Sequence, residues 1–361
     1  MAKVAIITDT HYGVRNDNPV VQVWQRKFLD TIFFPTLDRY DVRTVLHGGD
    51  YGDRRKYINF ATARFIEDAY RTPLRQRGIT EHVLIGNHDC FLRDSTAINS
   101  VDELYRMDTT MRIHAQPTEV DVDGTGILLL PWICGNTRAA TEQLIATSSC
   151  PLVLGHLELT GFQMYRGVPQ HEGMDPEPLS RFARVFSGHF HHPSAHGNIT
   201  YLGAPYPMVW SDYQDPRGFT LLDTETYETE FIPNPYAMFV RLVYDDEQQT
   251  ATYRESLLAD VASGRFQDAY VKIVVKTRTQ PHWLDEVLDA LTKCNPQDVL
   301  VIDDVQETTT ETSDASIDID TLTLMTEYVN SLAISCDKMA LQDYLRTIYH
   351  EAVSVASART H

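Results

Sequence analysis

The chain has 361 residues and a net charge of −19, with 31 Lys and Arg against 50 Asp and Glu; hydrophobic residues make up 43% and charged residues 22%. These values belong to a folded protein of two or three domains and exclude a disordered chain, a collagen and a coiled-coil rod. The charge argues against tight nucleic-acid binding through a free-standing basic face, but not against a nuclease that meets phosphate through metal ions or a partner subunit.

In chain order, Val4 to Asp9 is an apolar run ending in an acid, and it reads as a strand. Val20 to Tyr40 has helical spacing, with Val23, Trp24, Phe28, Leu29, Ile32 and Phe33 as its apolar positions. Val42 to Asp50 is a second strand, Tyr57 to Arg71 a second helix, and His82 to Ile85 a third strand. This β-α-β-α-β rhythm predicts a layered α/β core. Four later runs, Ile127 to Leu130, Leu152 to Leu154, Ala183 to Phe186 and Gly218 to Leu222, are separated by short turns rather than full helices. A two-sheet sandwich or mixed sheet is therefore expected over one parallel sheet.

Pro233-Asn234-Pro235 punctuates the chain. A smaller α/β unit is expected over 236–302. Its strands lie near Phe239 to Tyr244, Tyr270 to Lys276 and Val299 to Asp303, and its helix runs from Pro281 to Lys293. Asp303 to Asp320 holds seven acids and no Lys or Arg, the composition of a solvated linker. Helical periodicity returns in 321–361, with stripes at Leu322, Met325, Val329, Leu332 and at Leu341, Tyr344, Leu345, Ile348.

The longest apolar stretch, Gly126 to Cys134, is broken by Pro131 and is far shorter than the roughly 20 residues of a membrane span. The N-terminus lacks the apolar core of a signal peptide. Five widely spaced cysteines, an odd number without C-x-x-C, give neither a disulfide framework nor a thiolate metal site. A cytoplasmic protein is expected.

Five short motifs stand at the ends of these strands: Asp9-Thr10-His11, Gly49-Asp50, Gly86-Asn87-His88-Asp89, Gly155-His156 and Gly188-His189-Phe190-His191. Asp-x-His alone is common and Gly-Asp nearly uninformative. The ordered set of five is highly specific, because independent accidents would have to coincide. Asp, Asn and His without thiolate suit Mn²⁺, Fe²⁺ or Zn²⁺. Two such ions roughly 3.5–4 Å apart can clamp a phosphate and turn a bound water into a nucleophile. On an extended strand end, Asp9 and His11, or His189 and His191, would share a face. His47, His82, His171, His192 and His196 lack such support and read as surface or supporting residues.

In this order the motifs resemble those of the calcineurin-like metallophosphoesterases, which implies a two-sheet β-sandwich flanked by helices with two metals at one edge. Tyr201-Leu202-Gly203-Ala204-Pro205, Asp212 and Pro216-Arg217-Gly218-Phe219 narrow the resemblance to SbcD-like DNA-repair nucleases, the family of the meiotic-recombination-eleven nuclease. The run Tyr206 to Asp223 is most similar to the branch encoded by T-even-like bacteriophages. The resemblance implies a nuclease domain over 1–235, a DNA-capping domain over 236–302, an acidic linker over 303–320 and helices over 321–361 that dock on an SbcC-like SMC-family ATPase. It implies a homodimer acting on DNA, in the host cytoplasm if phage-encoded.

Residue by residue, it implies that Asp9, His11 and His191 hold one divalent ion, and Asn87, His156 and His189 the other. Asp50 would bridge them. Mn²⁺ is the expected ion, with Mg²⁺ as the alternative. His88 would be catalytic without being a ligand, and Asp89 its orienting partner. Archaeal and eukaryotic members carry histidine three residues after the bridging aspartate; Asp53 stands there in this chain. Gly49-Asp50-Tyr51-Gly52-Asp53-Arg54 also resembles a protein serine/threonine phosphatase motif whose arginine binds phosphate, which makes such a phosphatase the alternative enzyme. A non-catalytic repair scaffold is the third reading; the filled ligand positions argue against it. Arg15, Arg54, Arg55, Lys56 and Arg93 are the candidate DNA contacts.

Overall fold

The computed structural model describes residues 3–247 and 250–303, together with Val329 and Lys338. The chain divides into two units, Met1–Val305 and Gln306–His361. The expected linker and the helices over 321–361 lie, apart from Asp303, Val329 and Lys338, outside the described residues.

Strands β1 (Lys3–Ile7), β2 (Thr44–His47), β3 (Thr80–Leu84) and β4 (Met111–His114) run parallel, joined in part by long helical crossovers. Next come β5 (Thr118–Val122), β6 (Thr125–Leu130), β7 (Leu152–His156), β8 (Arg184–Gly188), β9 (Ser194–His196), β10 (Ile199–Tyr201), β11 (Gly218–Asp223) and β12 (Thr229–Pro233). One six-stranded sheet has the order β12-β11-β1-β2-β3-β4, the other β9-β10-β8-β7-β6-β5. Both are mixed: β11 pairs antiparallel with β1, while β6, β7 and β8 are mutually parallel.

Side-chain alternation sorts the layers. Val4, Ile6, Leu46 and Leu84 face Ile127, Leu129, Leu152 and Leu154 between the two sheets. Their neighbours Ala5, Ile7, Val45 and Val83 face the opposite way, onto Phe28, Phe33 and Tyr70 of the helices. On the outer face of the second sheet, Leu128, Leu130, Val153 and Val185 pack with Ile145 and Leu179. A one-residue slip of any central strand would exchange these two apolar sets.

The first helical run, Pro19–Phe28 (α1), continues through a π turn, Leu29–Phe33, into Phe34–Arg39. The second, Phe60–Ile66 (α2), passes through Glu67–Arg71 into Thr72–Gln76. Each π turn precedes a proline, Pro35 or Pro73. A proline has no N–H and crowds the preceding turn, and the wider π ring absorbs both defects without ending the helix. The expected second helix therefore extends past Arg71.

One expectation fails. A full helix, Arg138–Thr147 (α3), separates β6 from β7. Only Thr141 and Ile145 of it are buried, so its sequence carries little 3.6-residue periodicity.

Beyond Pro235, β13 (Phe239–Asp245), β14 (Tyr270–Thr277) and β15 (Asp298–Asp303) form a parallel sheet. They are joined by α4 (Ala251–Val261), which the sequence reading lacked, and α5 (Pro281–Lys293). Their core is Val240, Leu242, Tyr244, Ile273, Leu284, Val287 and Leu291. The carboxylate of Asp246 accepts the Thr279 and Gln280 N–H groups, both at 2.6 Å, and the Tyr244 hydroxyl at 2.8 Å, just ahead of α5. Burial pushes this carboxyl up, but the donors outweigh burial and hold it below the usual range. Its contribution is therefore present above the unfolded carboxyl pKa of about 4 and lost as pH falls through the lower folded value. Asp246→Ala is expected to cost about 1–3 kcal/mol at pH 7. The gap in thermal unfolding midpoint from the parent should narrow below about pH 4; an equal gap at pH 7 and pH 3 would refute this.

Candidate metal centre

The functional loops leave the C-terminal ends of β1, β2, β3, β7 and β8. The first two loops run side by side: the N–H groups of Asp9, His11 and Tyr12 donate to the carbonyls of Gly49, Asp50 and Tyr51 at 3.0–3.1 Å. Asp9, His11, Asp50 and His189 adopt positive φ, at 54°, 40°, 52° and 86°. Asp and His are among the residues that tolerate this region best, and such strain concentrates at functional sites.

This corrects the expectation of extended strand ends. Left-handed turns, not strand alternation, aim these side chains. They also send His189 and His191 to different groups. Asp9, His11 and His191 offer ligand atoms within 4.8 Å of one another, and so do Asp50, His156 and His189. Asn87 joins the second group, with Oδ1 2.9 Å from His156 Nε2 and 3.0 Å from His189 Nδ1. In the first group, His11 Nε2 and His191 Nε2 lie 3.0 Å apart. Asp50 stands between the groups: Oδ1 is 3.4 Å from His156 Nε2 and Oδ2 is 3.5 Å from His11 Nε2.

The supports are specific. Asp9 accepts from Thr8 Oγ1 at 2.7 Å and from the His189 N–H at 3.1 Å. His156 Nδ1 lies 2.8 Å from the Gly48 carbonyl; as its donor, it leaves the Nε2 lone pair for the centre. Gly86 has no room for a side chain, because a Cβ there would sit 2.2 Å from Asp50 Oδ1. At Gly188 a Cβ would sit 2.1 Å from Thr8 Oγ1.

Burial raises the Asp50 carboxyl, but His156, His88 and His11 outweigh it and hold the group well below the usual range, so it is ionised. Burial lowers the His156 imidazole; Asp50 and Asp9 more than reverse this and raise it to about 9. Without a metal, positive charge is thus concentrated beside Asp50. Cations bound by neutral imidazoles would take over that role.

Asp89 differs from its expected place. Its carboxylate accepts the backbone N–H groups of Tyr51, Gly52 and Gly86 at 2.9–3.1 Å, tying the Asp50 loop to the Asn87 loop. Burial and the charge of Asp50 push it up to about 6, against those donors. The partner of His88 Nδ1 is instead the Asp53 carbonyl, at 2.8 Å. Three residues in a row cannot all aim one way, and Asp89 points back into the turn.

Around the centre lie His47 and His192, which the sequence reading allowed as supporting residues, and Trp132, which it had not assigned. His47 is buried, with Nε2 3.0 Å from Thr10 Oγ1 and Nδ1 accepting from Gly49 N–H. Burial and His156 push it down to about 3, so it is neutral. The Trp132 ring lies 5.1 Å from that of His189, centroid to centroid. Its signal was position: it follows Pro131 at the end of β6, a further strand end. Arg217 donates to the His191 carbonyl and pairs with Asp212 at 2.9 Å. Asp215 holds His192 Nδ1 at 2.8 Å. The Asp-Pro-Arg-Gly-Phe run thus anchors the His191 loop from beneath.

Two of the candidate DNA-contacting arginines are engaged within the fold. Arg54 pairs with Asp17 at 2.7 Å and donates to Asn16. Arg15 lies over the Tyr270 ring, 4.4 Å from its centroid. The commitment of Arg54 weighs against the phosphate-binding role it would have in a protein phosphatase. Lys56 and Arg93 are exposed.

The donor set fits divalent cations. Buried and half-buried imidazole nitrogens and carboxylate oxygens converge in two neighbouring groups, with Asp50 facing both and no thiolate among them. Among the described residues no helix is long and apolar enough to cross a membrane.

The profile of the calcineurin-like phosphoesterase family matches residues 2–193. Over 361 aligned residues the chain is 31% identical to exonuclease subunit 1 of Enterobacteria phage T4, spanning 97% of this chain and 99% of that protein. Among solved structures, glutamine-dependent NAD+ synthetase from Acinetobacter baumannii in complex with ADP aligns with 98% of this chain and 72% of its own, at 9% identity. The TM-score of 0.28 carries no argument.

Proposed function

Because the chain belongs to the calcineurin-like phosphoesterase family, and is accordingly a metal-dependent hydrolase, we propose that it is a two-metal DNA nuclease of the SbcD type. It degrades double-stranded ends as an exonuclease and cuts single strands as an endonuclease. The observation that carries this reading is the likeness to a phage exonuclease subunit over nearly the whole length of both chains.

In this reading Asp9, His11 and His191 hold one ion, Asn87, His156 and His189 the other, and Asp50 spans both. Mn²⁺ is preferred, with Mg²⁺ as the alternative. Bound there, divalent ions would supply Lewis acidity at the phosphodiester and lower the pKa of a bound water. Asp9 is fixed by Thr8 and the His189 N–H, and His156 by the Gly48 carbonyl, so both are set before substrate arrives. With His88 Nδ1–H donating to the Asp53 carbonyl, a proton for the leaving oxygen would come from Nε2 of the imidazolium form, which returns to the neutral Nδ1–H tautomer. Mn²⁺-dependent degradation of linear duplex DNA, set against hydrolysis of a phosphopeptide, tests the function. Phosphopeptide turnover without DNA degradation would overturn it.

The proposed domains are a nuclease domain over 1–235 and a capping domain over 236–302. An acidic linker over 303–320 then leads to helices over 321–361 that dock on an SbcC-like ATPase. Truncation after Asp320 should leave nuclease activity of the isolated subunit nearly intact and abolish co-purification with the ATPase. Unchanged binding would refute the docking role. A homodimer in the host cytoplasm completes the proposal. Light scattering of the purified chain tests the dimer.

A further inference from the structure

His11 has one ring nitrogen at the centre and one behind it. Nε2 faces His191 and Asp50, at 3.0 and 3.5 Å. Nδ1 is buried and makes no hydrogen bond of good geometry. Its neighbour is Asp53 Oδ1, at 3.4 Å. Asp53 comes from the other functional loop, three residues after Asp50. Its backbone is pinned there, with N–H donating to the Tyr12 carbonyl at 3.1 Å and its own carbonyl facing His88 Nδ1 at 2.8 Å. His11, Asp53 and His88 thus form a further group of side chains, which meets the first group at His11.

We propose that Asp53 is a positioning residue for the metal centre: its carboxylate accepts the Nδ1 proton of His11, fixing the tautomer that turns the Nε2 lone pair to the ion, while its carbonyl sets the ring of His88. A ligand histidine whose far nitrogen donates to a carboxylate is oriented and made more basic by it. One residue then couples a ligand of the first ion to the proton donor. Side chain and main chain act separately, so substitution of the side chain leaves the hold on His88 in place.

The proposal rests on the two-ion reading, and the experiment separates the two. Mn²⁺ binding to the metal-free full chain is measured by calorimetry without DNA, for the parent, Asp53→Ala and Asp53→Glu. The parent is expected to bind two ions; fewer would defeat the two-ion reading itself. Asp53→Ala should still bind two, one of them about 10–100-fold more weakly, and Asp53→Glu should recover most of that loss. The thermal midpoint of the metal-free chain should stay within about 1 °C of the parent. Three results would overturn the proposal. Unchanged affinity in Asp53→Ala would leave Asp53 without a role at the centre. Complete loss of one ion would make it a ligand. A lowered metal-free midpoint without rescue by Asp53→Glu would make it a structural residue only.

Discussion

Asp50→Asn is expected to strip the protein of both tightly bound ions and to lower nuclease activity by more than about 10³-fold. Among the described residues, Asp50 is the carboxylate whose two oxygens face the two groups separately, Oδ1 towards His156 and Oδ2 towards His11. Asparagine is the informative replacement, because the position has a φ of 52° and asparagine tolerates the left-handed region where alanine is strained. It also keeps an acceptor for the His88 N–H, which now lies 2.8 Å from Oδ1. The backbone should survive and the charge alone should go. Elemental analysis of the purified variant decides the matter. Two Mn²⁺ retained per chain would remove Asp50 from the bridging position.

His88→Asn should give the opposite pattern, with both ions and DNA binding kept and turnover reduced about 10²–10⁴-fold. The side chains of Asn87 and His88 part company: Asn87 Oδ1 turns to His156 and His189, whereas His88 turns to the Asp53 carbonyl and packs edge-on against the His11 ring at 4.7 Å. In the proposed two-metal mechanism a group so placed would meet the reacting phosphate from beside the ions. Loss of an ion on this substitution would move His88 into the ligand set. Loss of DNA binding with normal single-turnover chemistry would make it a substrate-binding residue.

Much of this was legible along the chain. The apolar runs that became β1, β2, β3, β6, β7, β8 and β11 could be read directly. Each is bounded by glycine or an acid, and central strands covered on both faces need nearly continuous apolar residues. The five motifs could be read because their loops begin where those runs stop. Other elements left no pattern. Helices α3 and α4 bury so few side chains that their sequences are nearly unperiodic. Trp132 lies at a strand end but belongs to none of the five motifs.

Taken by itself, the sequence determined the chemistry on offer: which residue types stand at the strand ends, in what order, and that the donors there are nitrogen and oxygen rather than thiolate. The family resemblance already implied how those donors divide; only the tertiary structure decided how the backbone brings them together. His189 and His191 are two residues apart yet join different groups, and Asp89 is spent on the backbone rather than on His88. Asp53, which the sequence marked only as a departure, stands behind His11. The physical reason is that local spacing fixes direction only where the backbone is regular. Here Asp9, His11, Asp50 and His189 adopt left-handed φ values, and Asp9, His11 and Tyr12 hydrogen-bond to a segment some forty residues away, so the aim of Asp9 and His11 follows from that pairing and not from strand alternation.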